Sequence, residues 1–197
     1  MLFIPTHRII AHRVHENILQ ETGINLSKSF LAYGSMKPDI APRLAIKKHY
    51  KEHSFDFVLD EIVDLVENGL RDDKLSINSF STKFGVISHF LCDFFCLPHH
   101  DRDYFHDKLK DHLEYEKLLH EKFKTFSNTR NLKLPTIDAV DKDGFRNLID
   151  SLHLDYASSS KSFQTDMEYS VRVSSAVGII ILENAIIPSL NEATANI

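Results

Sequence analysis

The sequence lacks any apolar run long enough to cross a lipid bilayer. Its first residues, MLFIPTHRII, also lack the basic region that opens a secretory signal. Cysteine is scarce, because Cys92 and Cys96 are the only two, and one pair makes no disulfide framework. These absences argue against a membrane-spanning or disulfide-stabilised protein, and we expect a cytoplasmic location.

An excess of basic residues is also lacking. The chain carries 23 lysines and arginines against 28 aspartates and glutamates, which gives a net charge of −5 with histidine neutral. Stable binding of nucleic acid is therefore not expected, since no surplus of cations is available to neutralise a phosphate backbone. A phosphodiester substrate stays compatible with this charge, because bound metal ions would supply positive charge locally.

Alternating strand patterns of convincing length are missing, and helical periodicity runs through most of the chain. One helix is predicted from 7 to 22 with Gly23 as its stop, and a mostly apolar one from 80 to 97 ends at Pro98. The segment GSMKPD at 34–39 is predicted to be a turn. We expect an all-α, single-domain bundle of six to eight helices over 1–187. The remaining residues, 188–197, form a frayed tail in this prediction.

Histidine is abundant, with 12 residues, and five of them fall between His89 and His112. His89 and Asp93 lie four residues apart on the apolar helix, and His112 and Glu116 repeat that spacing further on. The i,i+4 spacing places both members of a pair on one helix face. A carboxylate on an apolar helix is costly to bury unless it is paired or binds a metal, so the pattern favours a zinc site.

Several neighbouring residues leave alternatives open. Cys92 and Cys96 share the apolar helix, and a cysteine in that position is more often a small buried side chain than a metal ligand. His120 is an alternative partner on the face that carries His112 and Glu116. His49 and His53 form a further i,i+4 pair, and the pattern alone does not choose between them.

The order of these motifs resembles the bacterial zinc-dependent phospholipase C family, which shares its fold with zinc-dependent single-strand nucleases. The family has a histidine near the first helix, a loop aspartate, a histidine, His-x3-Asp, another histidine and then His-x3-Glu. This chain supplies matching residues in the same order: His7, Asp39, His49, His89, Asp93, His99, His112 and Glu116.

The resemblance implies an all-α fold with two or three zinc ions in a cleft. Asp39, His49, His89 and Asp93 would hold one zinc. A second would bind His99, His112 and Glu116, and a third would be shared by Asp93 and His7. The implied reaction is phosphodiester hydrolysis by a metal-activated water, with Asp39 as the candidate base.

The chain departs from the family in having no tryptophan, whereas secreted members complete the third site with an N-terminal tryptophan. A phospholipid or another phosphodiester is the expected substrate, and transient contact with a membrane fits that expectation. Three alternatives are kept: an HD-type phosphohydrolase built on His100 and Asp101, a nuclease, and a non-catalytic zinc-binding helical protein.

Overall fold

The computed structural model describes residues 2–70, 75–101, 109–127 and 135–185. In these residues the chain is all-α, with nine helices and no strand, which confirms the predicted fold class. Two of the nine are single turns of four residues. The helices are α1 (Ile4–Thr22), α2 (Lys28–Ile40), α3 (Pro42–Ala45), α4 (Lys51–Asn68), α5 (Ile77–Phe94), α6 (Leu97–His100), α7 (Leu109–Thr125), α8 (Lys142–Ser158) and α9 (Phe163–Ala185).

Helices α5 and α9 form the centre of the core. Both are apolar on nearly every face, so both are buried along most of their length. Helices α1, α2 and α4 pack around α5, and α1, α4, α7 and α8 contact α9. A polar side chain on the inner face of α5 is therefore held in a rigid and largely dry setting.

Two glycines bring α2 and α5 into backbone contact. A Cβ atom at Gly34 would lie 2.2 Å from the carbonyl oxygen of Thr82, and one at Gly85 would lie 2.4 Å from that of Leu31. Neither position has room for a side chain. This close approach places the C-terminal half of α2 directly beside the face of α5 that carries the His-x3-Asp motif.

The predicted turn at 34–39 is wrong, because α2 continues as a helix through Pro38 to Ile40. Gly34 serves the packing of α2 on α5 and does not end the helix. The first helix, in contrast, ends at Gly23, whose φ of 71° is the left-handed conformation expected of a helix stop.

The other helix predicted above, from 80 to 97, differs from the structure at both ends. The apolar helix begins at Ile77, where Ser76 accepts a hydrogen bond from the backbone N–H of Ser79, and it ends at Phe94. The predicted tail at 188–197 lies outside the described residues. Among the residues that are described, no helix is both long and apolar enough to cross a membrane.

Candidate metal centre

His89 and Asp93 lie one turn apart on the inner face of α5, and both side chains are fully buried. His89 Nε2 is 3.4 Å from Asp93 Oδ2. The other ring nitrogen, Nδ1, donates a hydrogen bond to the backbone carbonyl of Ser35 at 2.7 Å. That bond fixes the tautomer of His89 and leaves the lone pair of Nε2 directed at the carboxylates.

Asp39 and His49 reach the same point from the far end of α2 and from the segment before α4. Asp39 Oδ1 lies 3.5 Å from His89 Nε2. His49 Nδ1 lies 2.6 Å from Asp93 Oδ2 and 3.0 Å from His89 Nε2. The four side chains thus point their ligand atoms into one buried space.

His7 approaches this space from α1. Its ring stacks on the ring of His89 with centroids 3.9 Å apart. Its Nε2 lies 3.5 Å from Asp93 Oδ1 and 3.9 Å from Asp39 Oδ2. The backbone N–H of Leu2 also points at Asp93 Oδ1, at 3.5 Å. Asp93 therefore faces α1 with one oxygen and His49 with the other.

His99, His112 and Glu116 form a second cluster where α6 meets α7. His112 Nε2 is 2.8 Å from Glu116 Oε1, and His99 Nε2 is 3.4 Å from the same oxygen. The i,i+4 spacing on α7 aligns His112 with Glu116, and the proline-led turn α6 brings in His99. The ring of His99 lies 6.5 Å from that of His49, so the two clusters adjoin.

The structure therefore places all eight residues that the sequence singled out in three groups. Within each group, the ligand atoms lie within 4.8 Å of one another. His89 belongs to two of the groups, whereas the family resemblance implied that Asp93 is the shared residue. The groups are His7, His89 and Asp93; Asp39, His49 and His89; and His99, His112 and Glu116.

Burial disfavours the protonated form of three histidines in these groups, His7, His89 and His99. It lowers the pKa of His7 to about 4, and it holds the pKa of His89 well below its ordinary value. Burial and the nearby charge of Asp93 raise the pKa of Asp39 to about 7. Burial alone would also raise the pKa of Asp93, but His99, His89 and His7 around it hold that pKa well below its usual range.

Glu116 resembles Asp93 in this respect. Burial opposes its ionisation, but the neighbouring imidazoles of His112 and His99 lower its pKa to about 2. Neutral imidazoles beside buried carboxylates are the protonation states that a bound divalent cation requires.

The donor atoms fit zinc in type and spacing, and those of three residues lack a hydrogen-bond partner among the described residues. The side-chain nitrogens of His7 and His99 and both carboxylate oxygens of Asp39 are buried without a hydrogen-bond partner among the described residues. Such atoms are costly unless a bound group satisfies them. Ligands that share a tetrahedral zinc at about 2.1 Å lie roughly 3.4 Å apart, close to several of the distances above.

The remaining candidates lie elsewhere. The Cys92 thiol contacts Ser174 Oγ at 3.4 Å, and burial raises its pKa to about 12; burial likewise raises the pKa of Cys96. His53 is exposed, with Lys48 as a neighbour. His120 Nδ1 lies 2.9 Å from the hydroxyl of Thr6. Neither cysteine and neither of these histidines belongs to a donor group among the described residues.

The adjacent residues His100 and Asp101, on which the HD-type alternative depends, point away from the metal centre. His100 Nδ1 lies 3.1 Å from His153 Nε2, and Asp101 forms an ion pair with Lys161. The two side chains therefore turn toward α8 and the start of α9. They do not converge on one site.

Asp166 on α9 is a buried carboxylate that the sequence analysis missed. It accepts hydrogen bonds from the backbone N–H of Leu97 at 3.0 Å and from the hydroxyls of Tyr115 and Tyr156 at 3.0 and 2.7 Å. These bonds tie α6, which carries His99, to α7 and α9. An isolated aspartate on an apolar helix is the same signal that pointed to Asp93, and it applies equally to Asp166.

A family model described as zinc dependent phospholipase C matches residues 6–163 of the chain. Neither the curated proteins nor the solved structures include a significant match. The matched range covers most of the chain and contains all eight residues of the donor groups. The chain belongs to the zinc dependent phospholipase C family.

Proposed function

We propose that the protein is a zinc-dependent hydrolase that cleaves a phosphodiester bond of a phospholipid on the side of the glycerol, as a phospholipase C does. The observation that carries this proposal is that two adjoining clusters contain buried donor atoms, on His7, Asp39 and His99, that have no hydrogen-bond partner among the described residues. Family membership supports the same activity.

In this proposal the three donor groups hold two or three zinc ions. Zinc at such a site polarises the phosphoryl oxygens and makes water a strong nucleophile at neutral pH. Imidazole and carboxylate ligands without cysteine suit a hydrolytic site better than a closed structural one, which typically has four ligands rich in thiolate. The non-catalytic alternative is therefore disfavoured.

The protein's own residues orient this chemistry. The carbonyl of Ser35 keeps the proton of His89 on Nδ1, so Nε2 stays available as a ligand. Asp166 holds the turn that carries His99. Neither carboxylate oxygen of Asp39 has a hydrogen-bond partner among the described residues, so one could act as a ligand while the other accepts a proton from the attacking water.

The charge of the chain bears on the substrate. A net charge of −5 gives no general affinity for a long polyanion, so a nuclease role is less well supported than a small phosphodiester or lipid substrate. The HD-type alternative is disfavoured by the geometry, because His100 and Asp101 have partners away from the donor groups.

Replacement of Asp93 by asparagine tests the proposal. Asp93→Asn removes a charge from the centre of the first cluster, and we expect zinc content to fall and hydrolysis of a phosphatidylcholine or chromogenic phosphocholine diester to drop more than about a hundredfold. The matched control is Asp155→Asn on the exposed side of α8. Circular dichroism should give equal helix content for both variants. Wild-type turnover in Asp93→Asn at equal zinc loading would refute the proposal.

A further inference from the structure

Basic residues are concentrated in one short segment beside the metal centre. Residues 37–48 contain four of the chain's 23 basic residues and one of its 28 acidic residues. That acidic residue is Asp39, whose side chain is fully buried in the donor cluster. The surface of this segment is therefore cationic on a protein whose net charge is −5.

The same segment exposes large aliphatic side chains. Ile46 is 82% exposed and Ile40 is 55% exposed. Tyr33 and Phe30 continue the apolar strip along the solvent side of α2, at 48% and 41% exposed. Isoleucines interleaved with lysines and arginines are typical of a surface that enters the headgroup region of a bilayer.

A cavity of about 660 Å³ opens behind these residues, between α2, α3, α4 and α5. Its walls include Leu44, Phe57 and Val86, and they are mostly apolar. Lys37, Arg43 and Glu61 also line it, and neither of these two basic residues has an ion-pair partner among the described residues. A cavity with apolar walls and unpaired cations suits an acyl chain that carries an anionic group.

This surface borders the proposed active site. Ile40 directly follows Asp39 in the chain, and Ile46 precedes His49 by three residues. Phe57 in the cavity wall packs against Phe90, and Phe90 in turn contacts His49. Whatever binds at this surface therefore lies next to the donor cluster.

We propose that Lys37, Ile40, Arg43, Ile46, Lys47 and Lys48, here called the α2–α3 face, dock the protein onto anionic lipid bilayers. This proposal rests on the proposed function, and it adds that the enzyme binds its phospholipid substrate at the surface of a bilayer. The basic side chains bind anionic headgroups, and the two isoleucines enter the interface. An acidic protein or a nucleic acid would satisfy the cations but not the exposed isoleucines or the apolar cavity.

Vesicle flotation of the full chain tests the α2–α3 face. The probes are vesicles of phosphatidylcholine alone and vesicles with about a third phosphatidylglycerol. We expect binding only to the anionic vesicles. Arg43→Ser with Lys48→Ser should weaken it about 25-fold, at about fivefold per basic residue, and Ile46→Ser should weaken it about tenfold.

Matched controls are available elsewhere on the surface. Lys117→Ser with Lys122→Ser removes two exposed cations from α7, and Leu154→Ser removes a leucine that is 71% exposed on α8. These variants should bind anionic vesicles like the unmodified chain. Equal losses in the controls and in the α2–α3 variants would overturn the proposal, as would the absence of binding to anionic vesicles. Retention on heparin without vesicle binding would also overturn it, in favour of a soluble polyanion.

The outcome is separable from that of the proposed function, because flotation measures binding and not turnover. Asp93→Asn should float with anionic vesicles like the unmodified chain. If the protein binds anionic vesicles but hydrolyses no phosphodiester, the proposed hydrolase activity is refuted and the membrane-docking role of the α2–α3 face is not. Hydrolysis of a water-soluble diester without vesicle binding would support the hydrolase and refute the membrane-docking role of the α2–α3 face.

Discussion

At the scale of single residues, His49 and His53 provide the sharpest comparison. Both are histidines of the KHYKEH segment, but His49 is buried against Asp93 and His53 lies in solvent. We expect His49→Gln to lower the zinc content by about one ion per chain, since a ligand of the first cluster is lost. His53→Gln is the matched control and should keep full zinc content.

Elemental analysis of the two variants, with circular dichroism to check folding, decides the matter. An equal zinc loss in His53→Gln would contradict the assignment of His49.

The residues differ in how readily the sequence reveals them. The i,i+4 spacing and the cost of an unpaired carboxylate identify His89 and Asp93, because both arguments are local. Spacing could not choose between His49 and His53, since the choice depends on where α4 begins. The structure starts that helix at Lys51, which leaves His49 before it and turns His53 outward. The bond from His89 to the carbonyl of Ser35 could not be predicted, because a backbone carbonyl is present at every residue and leaves no mark in the sequence.

At the scale of helices, the contact between α2 and α5 positions the first cluster. A methyl group at Gly85 would meet the carbonyl oxygen of Leu31 at 2.4 Å, so Gly85→Ala must push the helices apart. The bond from His89 to the carbonyl of Ser35 would then lengthen. We expect a loss of roughly 1–3 kcal/mol in unfolding free energy and a tenfold or greater loss in zinc affinity. Urea unfolding and competition with a zinc indicator measure the two effects.

Gly23→Ala is a useful control for this effect. Gly23 has a φ of 71° and no atom within 4 Å of an added Cβ, so alanine there strains the end of α1 by about 1 kcal/mol. It should leave zinc affinity unchanged. A Gly85→Ala variant that is equally destabilised but binds zinc normally would show that the α2–α5 contact does not set the site.

The contact between α2 and α5 also explains why the sequence predicted the boundaries of some helices better than those of others. Apolar periodicity, together with the stop at Gly23, locates α1 and α5 to within three residues at each end, because those signals are local. At 34–39, glycine and proline are typical of a turn, but packing against α5 keeps α2 helical through Pro38. Tertiary contacts outweigh local preference there, and no local pattern reports them.

At the scale of the whole molecule, the buried histidines predict how the zinc-free protein responds to pH. Burial lowers the pKa of His7 to about 4, and burial together with His100 lowers that of His153 to about 4. The unfolded chain takes up these protons from pH 6.5 downward, but the folded protein does not. These histidines therefore contribute fully to the unfolding free energy above pH 6.5, and their contribution falls as the pH drops toward 4, by on the order of 3 kcal/mol for His7. Asp39 and Asp166, whose pKa values are raised to about 7 and about 6, act in the opposite sense.

Urea titrations in the presence of a chelator, at pH 7.5, 6 and 5, measure this slope. His153→Gln removes one of the titrating groups and should make the slope shallower. If the stability of His153→Gln changed between pH 7.5 and pH 5 as much as that of the unmodified chain does, the neutral, buried state of His153 would be contradicted.

Metal stoichiometry tests the central claim most directly. The chain is purified without chelator and without a metal-binding tag, reconstituted with zinc, and examined by elemental analysis. Two or three zinc ions per chain are predicted, since the eight donor residues form three groups. Zero or one zinc per chain, even with excess zinc supplied, would contradict a multinuclear centre.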